Sequence, residues 1–182
     1  MAQGGAKLTA MKKYLFLLVF TTVLFLSCGG QSSFPIKAGS ATTVYLDGFD
    51  SEIARIAENA RNTLNVFFQH LDMPEAGESN FYIKYAFRMQ AGGDADIRTE
   101  QVWISGIAFQ DGRFYGNVAS TPIYLAHVQS GDRVSFYADS IADWMFTRNG
   151  RIVGGESIRY LLTQIPENER TDSQRRTLRM FD

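Results

Sequence analysis

Asp143 and Trp144 set a carboxylate beside an indole, a pairing that binds sugars when the ring stacks on apolar C–H faces and the acid accepts hydroxyls. A second carboxylate, Glu156, follows, and two carboxyl groups about 5–9.5 Å apart in one cleft would permit general acid/base hydrolysis. A simpler account competes with this one. Trp144 and Trp103 are large residues suited to a core, and Asp143 suits a turn or a backbone amide. Gly154-Gly155 ahead of a helix could cradle an anion on free amides. However, the Lys-Ser/Thr of a phosphate loop does not follow, and a glycine pair also lets a strand turn into a helix where side chains would clash. His70 and His127 stand far apart, outside any His-x-x-x-His or Cys-x-x-Cys spacing, so both read as structural and no metal site is expected. Gly-x-Ser-x-Gly is absent from the sequence. Arg148, Arg151 and Arg159 fall around the Asn149-Gly150 turn and could present a small basic face to an anionic partner. A solvated hairpin tip accounts for them equally well. No catalytic residue and no cofactor is assigned.

The remaining chemistry belongs to Cys28, the only thiol. It follows Lys12-Lys13, an apolar run from Tyr14 to Leu26, and Ser27, the order of a bacterial lipoprotein signal. That run is shorter than the about 20 residues a spanning helix needs. Acylation of the Cys28 thiol and cleavage between Ser27 and Cys28 would leave a lipid-bearing N-terminus, so the expected partner is a membrane and the expected location the bacterial envelope. Phe25 and Leu26 make the match to the motif loose. Residues 1–27 therefore read as the signal, and 28–42, with Gly29-Gly30-Gln31-Ser32-Ser33, Pro35 and Gly39, as a flexible tether. Met11 is a natural start.

Removing residues 1–27 takes away Lys7, Lys12 and Lys13 and leaves 15 basic against 19 acidic side chains, about −4 overall. Such a balance lacks the basic excess of a nucleic-acid partner. A lone cysteine forms no internal disulfide, so a monomeric domain over 43–182 must be held by its core.

These candidates need elements to hold them. A short strand is expected at Thr43–Leu46. Ile53, Ile56, Ala57, Ala60, Leu64, Phe67, Phe68 and Leu71 recur at helical spacing, with Asp50 or Ser51 as cap and Pro74 as stop. After Pro74 the period becomes 2. Phe81, Ile83, Tyr85, Phe87 and Met89 alternate with more polar residues and predict a half-buried strand, broken at Ala91–Asp94. Val102–Phe109 and Phe114–Val118 flank Asp111-Gly112. Ile123–Val128 and Val134–Tyr137 flank Ser130-Gly131-Asp132. Trp144–Phe146 and Arg151–Val153 flank Asn149-Gly150, the strongest hairpin signal. Ile158, Leu161, Leu162 and Ile165 return to helical spacing, and a polar helix is expected from Pro166 to Arg179. The order predicts an α+β class: an N-terminal amphipathic helix, an antiparallel sheet of five to seven strands, and C-terminal helices.

Val102-Trp103-Ile104-Ser105, Gly112-Arg113-Phe114-Tyr115-Gly116, Gly131-Asp132-Arg133-Val134, Ile141-Ala142-Asp143-Trp144-Met145-Phe146, Asn149-Gly150-Arg151-Ile152-Val153-Gly154-Gly155 and Ile158-Arg159 resemble the domain of unknown function 2314 family, the YegJ-like proteins. The likeness runs from about Ile53 to Leu162. Ser120 and Glu156 depart from the family pattern. The resemblance implies a domain and carries no established activity. Two readings follow. The preferred one is a lipid-anchored, non-catalytic binding or structural module contacting an envelope protein or glycan through the region of Trp103, Asp143, Trp144, Asn149, Gly150, Gly154, Gly155 and Arg159. The alternative is an envelope glycan or peptide hydrolase using Asp143 and Glu156.

Overall fold

The computed structural model describes residues 51–90 and 97–181. Ser27, Cys28, the apolar run, the tether, the strand expected at Thr43–Leu46 and the break at Ala91–Asp94 lie outside them. The described chain is an α+β fold with four α-helices and one six-stranded antiparallel sheet, in agreement with the expected class.

Instead of the one helix expected from Ile53 to Leu71, there are two, α1 (Ser51–Asn62) and α2 (Leu64–Asp72). The apolar stripe is continuous, with Ile53, Ile56, Ala60, Leu64 and Phe67 all buried. The break falls at Thr63, whose hydroxyl donates back to the Asn59 carbonyl (2.8 Å) and accepts the Trp144 indole N–H (3.1 Å). A threonine hydroxyl that bonds the preceding turn bends a helix, and here a distant tryptophan fixes the bend.

The strands are β1 (Glu78–Gln90), β2 (Ile97–Gln110), β3 (Arg113–Val118), β4 (Arg133–Phe136), β5 (Ile141–Arg148) and β6 (Arg151–Gly154), ordered β4-β3-β2-β1-β5-β6. Two tight turns match their sequence signals. Asp111 and Gly112 have φ of 51° and 77°, and Asn149 and Gly150 have 51° and 78°, the positive pair that a type I′ hairpin requires. The Ile123–Val128 strand does not form. That segment is a loop with Ile123, Tyr124 and His127 exposed, so His127 is not a core histidine. The loop is shaped by Glu100, fully buried on β2, whose carboxylate accepts the backbone N–H groups of Ile123, Tyr124 and Leu125. Those amides are therefore unavailable to a sheet ladder.

The two faces of the sheet bury different clusters. Ile83, Ile104, Trp144 and Phe146 meet Ala60, Leu64 and Phe67 of the first two helices. Trp103 and Met145, at alternate positions, pack with Ile152 and Phe181. Because β1 and β5 are covered on both faces, Lys84 is buried beside Ile83, and the half-buried alternation expected for β1 fails at that point.

After β6 comes α3 (Glu156–Gln164). The last helix, α4 (Asp172–Leu178), starts later than Pro166 because Thr171 and Gln174 form a reciprocal capping box. Pro166 instead leads a 3₁₀ turn at Glu167–Glu169. Phe181 then bridges Ile152 along the outer edge of β6. Among the described residues no helix is long and apolar enough to cross a membrane.

Trp144 packs against Phe67 and Phe146 at ring distances of 5.8 and 6.2 Å. Trp144→Ala is expected to lower stability by about 3–5 kcal/mol. A Cβ on Gly150 meets nothing within 4 Å, so Gly150→Val acts through strain at positive φ alone, by about 1–3 kcal/mol. Chemical denaturation reads both, and a Trp144→Ala midpoint equal to wild type would contradict the core assignment.

Candidate functional site

The segment from β5 to α3 holds most of the polar residues singled out by sequence, and the structure separates them. Trp103 and Trp144 are 5% and 8% exposed. They lie in the two clusters on opposite faces, so neither ring forms a surface platform. Asp143 is 2% exposed and accepts three hydrogen bonds: from the Trp144 N–H (2.8 Å), the Ser157 N–H (2.8 Å) and the Ser157 hydroxyl (2.6 Å). Its partner in the hydrolase reading, Glu156, has a side chain 57% exposed and facing Arg159. One carboxylate is sealed in the protein and the other stands at its surface, so they do not form an acid/base pair.

Asp143 works instead as a helix cap supplied from a distance. Gly155, at the N-cap of α3, has no side chain to offer the free amides. The Asp143 carboxylate takes the Ser157 amide in its place, with the favourable sign for the positive end of the helix. The two glycines make the approach possible. Gly154 (φ 73°) lies against the Trp144 ring, where a Cβ would stand 2.8 Å from two indole carbons, and Gly155 (φ 71°) donates its N–H to the Trp144 carbonyl (2.8 Å). That amide is spent within the fold, so the glycine pair is a close-packed turn and not an anion cradle.

Sequence reasoning missed the third member, Lys84. Opposite Asp143 in the β1–β5 register, it is buried, donates to the Ser157 hydroxyl (3.2 Å), and sits 5.5 Å from the Trp103 ring centre. The result is a relay in which Lys84 donates to Ser157 and Ser157 donates to Asp143. Burial pushes the Lys84 ammonium down from the usual lysine range, against the pull of the Asp143 charge. Burial likewise pushes Asp143 up, opposed by the Ser157 hydroxyl, then by Lys84 and the two amides. Because the Ser157 proton is directed at a carboxylate and the oxygen faces an ammonium, the serine is a bridging group here and not an activated nucleophile. A lysine at a polar position of an alternating strand gives no sequence signal of burial.

A second polar cluster joins α2, β1 and β5. The Glu78 side chain is fully buried and accepts from the Glu75 N–H (2.9 Å) and from Arg148 Nε (2.8 Å), with His70 Nδ1 at 3.1 Å. His70, Glu75 and Glu78 bring potential metal-ligand atoms within 4.8 Å of one another. The Arg148 guanidinium already supplies the positive charge there, 2.7 Å from Glu78 and 3.8 Å from Glu75. His70 also packs 5.0 Å from the Phe146 ring. Asn149 completes the corner by donating its N–H to the Gly77 carbonyl.

The three arginines do not form one basic face. Arg148 is held by Glu78, Arg151 donates to the Arg179 and Phe181 carbonyls, and Arg159 lines a groove between α1 and α3.

With this geometry in view, comparison with known proteins places the chain. It belongs to the bacterial family described as "Uncharacterized protein conserved in bacteria (DUF2314)", whose profile matches residues 50–177. Among its relatives is the uncharacterized protein YegJ of Escherichia coli strain K12, 26% identical over 93% of this chain and 100% of that protein. Another is a putative ankyrin repeat protein of Neisseria meningitidis serogroup B, 32% identical over 74% of this chain. The matched region covers 54% of that longer protein. No solved structure matches the chain.

Two expectations follow. Asp143→Ala strands Lys84 and uncaps α3, and is expected to lower stability by about 3–5 kcal/mol. Adding Lys84→Met should then cost less than its single effect, with a coupling of about 1–3 kcal/mol in a denaturation cycle; additive effects would contradict the relay. For Glu78, burial acts to raise the carboxyl, but the Glu75 amide, Arg148 and His70 hold it below the ordinary glutamate range. A depressed acid stabilises fully above its unfolded value, about 4.3, and that contribution fades as pH falls through the lower folded value. Glu78→Gln should flatten this acid limb of the stability curve, and an unchanged slope would remove Glu78 as its source.

Proposed function

We propose that the chain is a lipid-anchored protein of the bacterial cell envelope whose folded part is a non-catalytic binding or structural module. The observation that carries the anchor is Cys28, placed after Lys12-Lys13, an apolar run and Ser27. Two or more acyl chains at roughly 0.8 kcal/mol per buried methylene give stable attachment. The membrane is then the first partner, and an envelope protein or glycan the second.

The non-catalytic reading is supported by how the acids and bases of the described residues are used. Asp143, Ser157 and Lys84 satisfy one another in the interior, and Glu78 is tied to Arg148 and His70. The contact surface then falls to the exposed part of the β5–α3 region, Asn149, Gly150 and Arg159, without Trp103, Asp143 or Trp144.

The anchor is tested on the thiol. Cys28→Ser is expected to move the protein from the membrane fraction to a soluble or unprocessed form, and the wild type is expected to carry added acyl mass. Unchanged membrane partitioning of the variant, with no acyl mass on the wild type, would remove the proposal.

A further inference from the structure

The corner where α2, β1 and β5 meet holds an imidazole between two opposite charges. His70 Nδ1 lies 3.1 Å from the Glu78 carboxylate, and its other ring nitrogen, Nε2, lies 3.4 Å from Arg148 Nη2. A guanidinium carries N–H donors and no acceptor. Nε2 must therefore keep its lone pair to meet Arg148, which leaves the ring's one proton on Nδ1, directed at Glu78. In this arrangement His70 is neutral and bridges an ion pair.

A second proton does not fit that arrangement. It would go to Nε2, the nitrogen that faces Arg148, and set an N–H against an N–H and a cation against a cation. The corner also contains the means of relief. The Glu78 side chain is fully buried and His70 nearly so, whereas Arg148 is 37% exposed. Arg148 Nη2 stands between two acids, 2.7 Å from Glu78 inside and 3.8 Å from Glu75, whose side chain is 66% exposed. Among the described residues, Glu75, Glu78, His70 and Arg148 are the charged and titratable side chains brought together here. Phe146 forms the remaining wall, its ring 5.0 Å from His70 and 5.6 Å from the guanidinium.

We propose that His70 is the trigger of an acid switch in which Arg148 is handed from Glu78 to Glu75. On taking up one proton from solvent, the imidazolium keeps the Nδ1–H bond it already makes and becomes the cation that neutralises Glu78. The guanidinium, now facing a like charge, swings outward to the exposed acid. Asn149, next to Arg148 in the chain, donates its N–H to the carbonyl of Gly77, which lies between Glu75 and Glu78. The handover therefore takes place at the joint between the β5–β6 turn and the start of β1. It rests on the geometry of this corner and on neither the lipid anchor nor the contact surface.

The test is a side-chain nitrogen NMR titration of the full chain in detergent from about pH 8 to about pH 5, across the ordinary imidazole range. At the upper end, His70 is expected to carry its proton on Nδ1. As His70 gains the second proton, the signal of Arg148 Nε–H, bonded to Glu78 at 2.8 Å, is expected to shift with the same midpoint. The exposed His127 serves as reference. His70→Phe should leave the Arg148 signal flat across the interval. Glu75→Gln, at an exposed position, removes the outer acceptor and should lower the His70 midpoint by at least ~0.5 pH unit, a ~3-fold loss of proton affinity. The proposal is overturned if neutral His70 carries its proton on Nε2, or if His70 takes up no second proton above about pH 5. It is equally overturned if the Arg148 signal stays fixed while His70 titrates, if that signal still shifts in His70→Phe, or if Glu75→Gln leaves the midpoint in place.

Discussion

A carboxylate buried at the centre of a sheet must find partners, and in this protein the surroundings of Asp143 are arranged to supply them. Its oxygens accept from Ser157 and Trp144, which fixes where α3 begins and how it meets β5. Lys84 faces the same carboxylate through Ser157 and offsets a charge that would otherwise be too costly to bury. Trp144 points from the next position into the opposite face, where it holds the α1–α2 break at Thr63 and presses on Gly154. One acidic residue therefore links both layers of the fold.

The parts of this fold legible in sequence are those decided locally. Asp111-Gly112 and Asn149-Gly150 carry their turn geometry in their own φ preferences. The helical spacing from Ile53 to Phe67 reports burial directly, and the strand periodicity after Pro74 marks β1 without reporting the burial of Lys84. What sequence did not reveal was decided across long separations. The break at Thr63 needs a tryptophan 81 positions away. The apolar run Ile123–Val128 looks like a strand until Glu100 takes its amides. Lys84 and Ser157 look like surface residues until the register sets them around Asp143. Asp143 itself was visible as a residue of interest, but the reading that gave it chemistry failed, and the reading that gave it a backbone amide matched the structure.

The segments that carry the family resemblance include the residues of this linkage: Trp103, Asp143, Trp144, Asn149-Gly150 and Gly154-Gly155. Each has a structural reason for its identity here, whether a close approach, a positive φ or a buried polar contact. These motifs therefore report an architecture.

The position of Phe181 has a consequence for the order of assembly. The outer edge of β6 is completed by residues 179–181, through the Ile152 N–H to the Met180 carbonyl, Arg151 to two further carbonyls, and the Ile152–Phe181 bridge. The Thr63–Trp144 and Arg61–Ile141 contacts close loops of about eighty residues. A chain emerging from its N-terminal side can form α1, α2 and the β2–β3 hairpin early, yet it cannot cover their apolar faces until β5 arrives or seal β6 until residue 181 has followed. Such non-local closure slows folding and keeps hydrophobic surface open for longer, so the nascent chain has a lasting need for protection from aggregation that the finished fold does not.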